Sequence, residues 1–187
     1  MAASSTMLAL GTQLPSFSLP DAASGKVVSS EGFAGGVAIV AFICNHCPYV
    51  IHVQKELVAL GHYAASRGVK MVGVSSNDVT THPEDGPAKM AEEARRAGYP
   101  FPYLYDESQS VAKAFQAVCT PEIYVFDATG ALKYRGRLDD STPRNGRPLT
   151  GKDARAALDA LLAGKIPSAD QHPSIGCSIK WKAGNEP

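Results

Sequence analysis

The segment Cys44-Asn45-His46-Cys47-Pro48 sets two thiols three residues apart, with an imidazole between them. The thiolate, rather than the thiol, is the nucleophile in sulfur chemistry, so what matters is whatever holds one sulfur ionised. Two neighbouring thiols can exchange a disulfide with another molecule: one sulfur attacks, and the second closes an internal disulfide. Protonated His46 beside a thiolate lowers the thiol pKa, which makes the disulfide the stronger oxidant. The competing reading treats Cys44 and Cys47 as two small buried hydrophobes.

Such a pair needs an element that favours negative charge. Upstream, Val37-Ala38-Ile39-Val40-Ala41-Phe42-Ile43 is an unbroken apolar run, the pattern of a strand covered on both faces. Downstream, Val50, Val53, Leu57, Leu60 and Ala64 recur at helical spacing. Pro48 suits the first helical turn, where its missing N–H costs nothing. The dithiol therefore sits where a strand gives way to a helix, and the free N–H groups and dipole of the helix start favour a thiolate.

Cys119-Thr120-Pro121 is the second element, just ahead of the strand-like Glu122-Ile123-Tyr124-Val125-Phe126. Proline before a strand is a common boundary marker. Combined with the dithiol, it predicts a cis peptide at Thr120-Pro121 facing the two sulfurs. Cys119 reads either as a buried thiol at a strand start or as a third redox thiol. Cys177 reads as an exposed spectator or, with Ile175, Ile179 and Trp181 around it, as part of a docked tail with a resolving role.

The rest of the chain supplies the frame of a single domain over residues 1–187, with a core at about 37–163. An arm over residues 1–36 carries two short strands, around Phe17-Ser18-Leu19 and Lys26-Val27-Val28, joined by a turn. The first helix runs to about Arg67 and stops at Gly68, and Val69 to Ser75 forms the next strand, a βαβ unit with parallel strands. Asn77 to Pro87 is a polar loop, followed by a helix over about Ala88 to Ala97. Asp106 is expected to cap a helix through Val111, Ala114 and Phe115. Ile123 to Phe126 and Leu132 to Arg135 read as an antiparallel hairpin around Asp127-Ala128-Thr129-Gly130. A loop over residues 137–149 precedes a last helix opened by Thr150 and Asp153 as a capping box. The tail, residues 165–187, shows no period.

This order of strand, dithiol, helix, strand, Thr-Pro, hairpin and terminal helix resembles the thioredoxin superfamily. The resemblance implies an α/β thioredoxin-like fold: a central mixed sheet flanked by helices, here with an N-terminal β-hairpin extension. The opening Gly11-Thr12-Gln13-Leu14-Pro15-Ser16-Phe17-Ser18-Leu19-Pro20-Asp21 is similar to the alkyl hydroperoxide reductase and peroxiredoxin branch. In peroxiredoxins a Thr stands three residues before the peroxidatic Cys, which precedes a Pro, and an Arg polarises the peroxide. Cys44 takes the Thr place here, Cys47-Pro48 the Cys-Pro place, and Pro121-Glu122 the Arg place. The missing Thr and Arg favour dithiol–disulfide exchange.

On that reading Cys44, taken as nearest the helix start, attacks a partner disulfide and Cys47 resolves it, with His46 tuning the thiolate. Under the peroxiredoxin correspondence the roles reverse, and Cys44 condenses with a Cys47 sulfenic acid. By the same resemblance Thr120-Pro121 offers its backbone to an extended partner. The expected partner is a disulfide-containing protein or a small-molecule thiol or disulfide, with a peroxide as the alternative substrate. A third reading binds zinc or copper(I) through Cys44 and Cys47, with His46, Cys119 and His52 as further ligands, although only one spaced pair is present.

Composition narrows the field further. The chain has 187 residues, 44% hydrophobic and 19% charged, enough for a sizeable core. Its 18 basic and 18 acidic residues balance without blocks, which argues against nucleic acid or an anionic membrane as partner. No apolar run reaches the roughly 18 residues of a membrane span, and the first ten residues lack the pattern of a signal peptide. Four cysteines are too few for a disulfide scaffold. A cytoplasmic protein that needs no cofactor is expected, of open oligomeric state. His62, His82 and His172 read as surface, the charged loop of Asp139, Asp140, Arg144 and Arg147 reads as solvated or, alternatively, as a border of the active site, and no glycine loop suited to phosphate is present.

Overall fold

The computed structural model describes residues 2–187. In chain order the elements are β1 (Ala2–Ser4), β2 (Ser18–Pro20), β3 (Val27–Ser29), β4 (Ala38–Phe42), α1 (Pro48–Ala65), β5 (Lys70–Ser75) and α2 (Pro87–Ala97). Then follow β6 (Tyr103–Tyr105), α3 (Ser110–Ala114), β7 (Cys119–Thr120), β8 (Glu122–Phe126), β9 (Leu132–Gly136), α4 (Lys152–Leu162) and β10 (Ile175–Ser178).

The central sheet has the order β6-β5-β4-β8-β9. Strand β4 runs parallel to β5 and antiparallel to β8, so the sheet is mixed, as expected. Because side chains alternate along a strand, β4 feeds two cores. Ile39 and Ala41 point to one face, where Val53, Leu57 and Leu60 of α1 and Ala154 and Leu158 of α4 cover them. Val40 and Phe42 point to the other, against Val111 and Phe115 around α3 and Phe17 and Phe33 of the arm. Phe42, Phe115 and Tyr124 meet edge to face, the arrangement that ring quadrupoles favour. β2 and β3 form the expected hairpin in the arm.

Four local expectations need correction. β6 was not foreseen; it is three residues of aromatic sequence between Pro102 and Asp106, too short for a period to show. Asp106 is not the boundary residue of α3, since Gln109, in the left-handed region, directly precedes the helix, but its side chain does satisfy a first-turn N–H. The Asp106 carboxylate is buried and accepts from Ala112 N at 3.0 Å and Ser76 Oγ at 2.9 Å. Helix α4 starts from Gly151 without a side-chain cap, because Thr150 N and Gly151 N both turn to buried Asp139 at 2.6 Å. The tail is not featureless. β10 lies between β1 and β7 in a separate three-stranded sheet, antiparallel to both. Among the described residues no helix is long and apolar enough to cross a membrane.

Candidate active site

The end of β4, the start of α1 and the turn between β7 and β8 bring the sequence-predicted residues to one place. Ile43 still donates to Val74 O, after which the chain leaves the sheet at Cys44. Cys47 is the residue immediately before α1, and Pro48 occupies the first helical position. Thr120-Pro121 is a cis peptide, as expected from the sequence. Thr120 meets both sulfurs: its hydroxyl lies 3.3 Å from Cys44 Sγ, and its carbonyl accepts from Cys47 Sγ at 3.3 Å.

The two sulfurs differ in electrostatics, and the order is the reverse of the sequence expectation. Cys47, not Cys44, adjoins the helix start. The Cys47 thiol is lowered to about 5, first by a hydrogen bond from the Cys44 thiol and against the opposing effect of burial. The Cys177 thiol, the Val50 N–H of the first helical turn and the Thr120 side chain also favour the ionised sulfur. Cys44 is raised well above the ordinary thiol range, because it donates to Cys47, is buried and faces the charge of Asp85. Of the two thiols Cys47 is thus the one that ionises first; as a thiol it donates to the Thr120 carbonyl, and as a thiolate it is favoured by the protonated Cys44 beside it. Both sulfurs are covered, Cys44 at 2% exposure and Cys47 at 0%.

His46 lies beside this pair but is directed elsewhere. Its Nδ1 bonds Asp85 Oδ2 at 2.5 Å, and its ring stacks on His82 with centroids 4.9 Å apart. His82, read from the sequence as a surface residue, is therefore part of the site's wall. Asp85 is fully buried and also accepts from Asn45 N at 2.7 Å and Asn77 Nδ2 at 2.8 Å. Asp85 and Asn77 are the site residues that sequence reasoning missed. Both fall in a polar loop where no spacing relates them to the dithiol; the only available signal was an acid inside the compact turn His82-Pro83-Glu84-Asp85-Gly86-Pro87.

Cys119 does not join the dithiol. Its thiol donates to Glu122 Oε2 and Ser174 O, each at 3.8 Å, and burial with the adjacent Glu122 charge raises it far above the usual range. Glu122 stands where a peroxiredoxin would carry arginine. It is buried, accepts from Ser5 Oγ, and is shifted upward by burial.

The backbone edge expected to receive a partner is already taken. β10 pairs with it, placing Cys177 opposite Thr120 and Ser178 opposite Cys119, and Ile179 N donates to Val118 O at 2.9 Å. Pro121 remains open on its other side, to a cavity of about 390 Å³ that Tyr49, Arg137, Asp140, Arg147 and Ile175 also line. The charged loop thus borders the site instead of standing off in solvent. Asp139 is buried within it, and Asp140 pairs with Arg147 and Lys152.

Two groupings of donor atoms are compact enough for a cation: Cys44, His46 and Asp85, and His46, His82 and Glu84. Neither contains Cys47, Cys119 or His52, which the metal reading of the sequence had enlisted. His52 instead bonds Ser141 Oγ at 2.8 Å.

Residues 10–135, which hold both the dithiol and Thr120-Pro121, match the AhpC/TSA family. The chain belongs to the AhpC/TSA family. A conserved protein of Geobacillus kaustophilus, of solved structure, is 52% identical, with a TM-score of 0.95 and 97% of each chain covered. A protein of Sinorhizobium meliloti is 43% identical, with a TM-score of 0.94 over 97% of this chain and 99% of its own. A thioredoxin-family thiol:disulfide interchange protein of Chlorobium tepidum is 22% identical, with a TM-score of 0.64 over 82% of this chain and 98% of its own. That likeness bears on the fold, which is thioredoxin-like. None of the curated proteins compared matches the chain. Within the AhpC/TSA family the chemistry is thiol-based redox chemistry, and this chain is a thioredoxin-like redox protein of that kind. β10 and Cys177 lie beyond the matched residues.

Proposed function

We propose that this protein is a dithiol–disulfide oxidoreductase in which Cys47 attacks and Cys44 resolves. The observation that carries the reading is the convergence of both sulfurs on Thr120, with the helix start behind Cys47. The Cys47 thiolate attacks one sulfur of a substrate disulfide. A Cys47–substrate S–S bond forms, the substrate S–S bond breaks, and the leaving thiolate takes up a proton. Cys44 then loses its proton and attacks Cys47 Sγ, which closes the Cys44–Cys47 disulfide and releases the second substrate thiol. The protein gives up two electrons and the substrate gains them. His46 and Asp85 act by position, fixing the Asn45-His46 turn that separates the two sulfurs. With Cys44 and Cys47 both covered, a substrate disulfide reaches Cys47 when the segments over it shift.

Reduction of insulin disulfides with dithiothreitol tests this. Turnover should fall to background in Cys47→Ser, whereas Cys44→Ser should lose the Cys44–Cys47 disulfide while its Cys47 still reacts with the substrate disulfide. Full turnover in Cys47→Ser rejects the assignment.

The Cys47-Pro48 pairing and its lowered thiol favour a second reading, reduction of a hydroperoxide. Cys47 takes the terminal peroxide oxygen as sulfenic acid and releases an alcohol or water. Cys44 then condenses with it and expels water. Glu122 in the place of arginine counts against this reading, because a buried acid cannot polarise the peroxide as a guanidinium does. Rapid hydrogen peroxide consumption that depends on Cys47 alone would make it the primary activity.

A further inference from the structure

The carboxyl-terminal strand occupies the active-site edge as a peptide substrate would, and it carries a thiol. β10 pairs antiparallel with β7 and sets Cys177 directly opposite Thr120, the residue that touches both Cys44 and Cys47. Close approach here depends on Gly176: a Cβ at that position would stand 1.9 Å from the Thr120 carbonyl oxygen. The strand is held at both ends. Ser5 N donates to Ser174 O at 2.9 Å, and Lys180 bonds Asn77 and Asp78 through its backbone. Asn77 is in turn a donor to Asp85, so the tail is anchored in the same network that fixes the dithiol turn.

We propose that Cys177 is a second resolving cysteine, which forms a Cys47–Cys177 disulfide as an alternative to Cys44–Cys47. This rests on Cys47 being the attacking thiolate. Three observations support it. Cys177 packs against the buried cluster that contains Cys44 and Cys47, opposite the residue whose carbonyl lies 3.3 Å from Cys47 Sγ. It is the one partly exposed thiol of the three that surround Thr120, the others being covered. Its pKa, raised to about 11 by burial and by Cys47, is moderated by nearby Lys180, whereas Cys44 carries the additional penalty of Asp85. A mixed disulfide on Cys47 therefore faces two candidate nucleophiles. When Cys177 attacks, the Cys47–Cys177 bond forms, the bond to the substrate sulfur breaks, and the proton from Cys177 goes to the leaving thiolate. Attack by Cys44 on Cys47 then exchanges one internal disulfide for the other, frees Cys177 as a thiol and needs no outside oxidant. While Cys47–Cys177 is closed, β10 is stapled across the β7 edge. An extended partner can reach that edge only after the swap.

The test uses the full chain carrying Cys44→Ser, fully reduced, freed of reductant and given one equivalent of 2-hydroxyethyl disulfide. Acid quenching and non-reducing peptide mapping by mass spectrometry then identify the bonds. The expected product is the Cys47–Cys177 peptide pair, and it should be lost, with the mercaptoethanol adduct on Cys47 retained instead, when Cys177→Ser is added. A lasting adduct on Cys47 beside a free Cys177 overturns the proposal and leaves Cys47 as the attacking thiolate. An unmodified Cys47 overturns both. The wild-type chain, mapped in a glutathione redox buffer, should contain both internal disulfides; Cys44–Cys47 alone at every ratio also overturns the proposal.

Discussion

Asp85 Oδ2 and His46 Nδ1 lie 2.5 Å apart, although 39 residues separate them in sequence. The carboxylate is fully buried and accepts from Asn45 N and Asn77 Nδ2 as well. A buried carboxylate persists where donors surround it, and here the donors belong to the dithiol turn and the loop that faces it. This one side chain ties the approach to Cys47 to the anchor of the tail. Its charge also adds to the effects of Cys47 and of burial, which together raise the Cys44 thiol.

Asp85→Asn keeps the shape and removes the charge. One face of the new amide would present N–H groups to donors that need an acceptor. Breaking such a buried contact costs about 1–3 kcal/mol, so the denaturant midpoint should fall without a change in slope. The Cys44 thiol should titrate lower than in the parent. An unchanged midpoint would mean that Asp85 is incidental to the site.

Glu122 gives a pH dependence whose sign follows from burial. Its folded-state value is raised above that of the unfolded chain, so its contribution to stability is complete below the unfolded value and declines as pH rises through the folded one. Glu122→Gln removes that decline. The variant should gain on the wild type in chemical denaturation as the pH is raised from mildly acidic to mildly alkaline. A variant that loses ground to the wild type as the pH rises contradicts the assignment.

Gly176→Ala tests the fit of β10. The added methyl meets the Thr120 carbonyl and the Pro121 ring, neither of which can yield as a flexible side chain would. Strand β10 should lift. Amide exchange at Ile179 should rise, and alkylation of Cys47 should become faster than in the wild type. With Cys177 withdrawn, the Cys47 thiol should also shift upward, since one of the groups that favour its ionised form is gone. Unaltered exchange and alkylation would show that β10 does not cover the site.

The fold was legible where short-range pattern decides structure. The apolar run of β4, the helical spacing of Val50, Val53, Leu57 and Leu60, and Thr120-Pro121 before β8 are each set by neighbours in sequence. Contacts between distant segments were not legible. β1 and β10 are three- and four-residue strands paired across nearly the whole chain, and strands so short carry no detectable alternation. Asp85 gave no local sign of burial. The ranking of the two sulfurs failed on one detail: the helix begins after Cys47, so its N–H groups serve that sulfur and leave Cys44 to act as donor.

The most direct test is ultraviolet titration of thiolate absorbance in the fully reduced chain. Cys47 is lowered to about 5, so stability from its ionised form is present above the ordinary thiol range and is lost as pH falls through the folded value. The account predicts one thiolate already formed at neutral pH, retained in Cys44→Ser and absent in Cys47→Ser. A reduced chain that shows no thiolate until alkaline pH, or one whose neutral-pH thiolate survives Cys47→Ser, contradicts it.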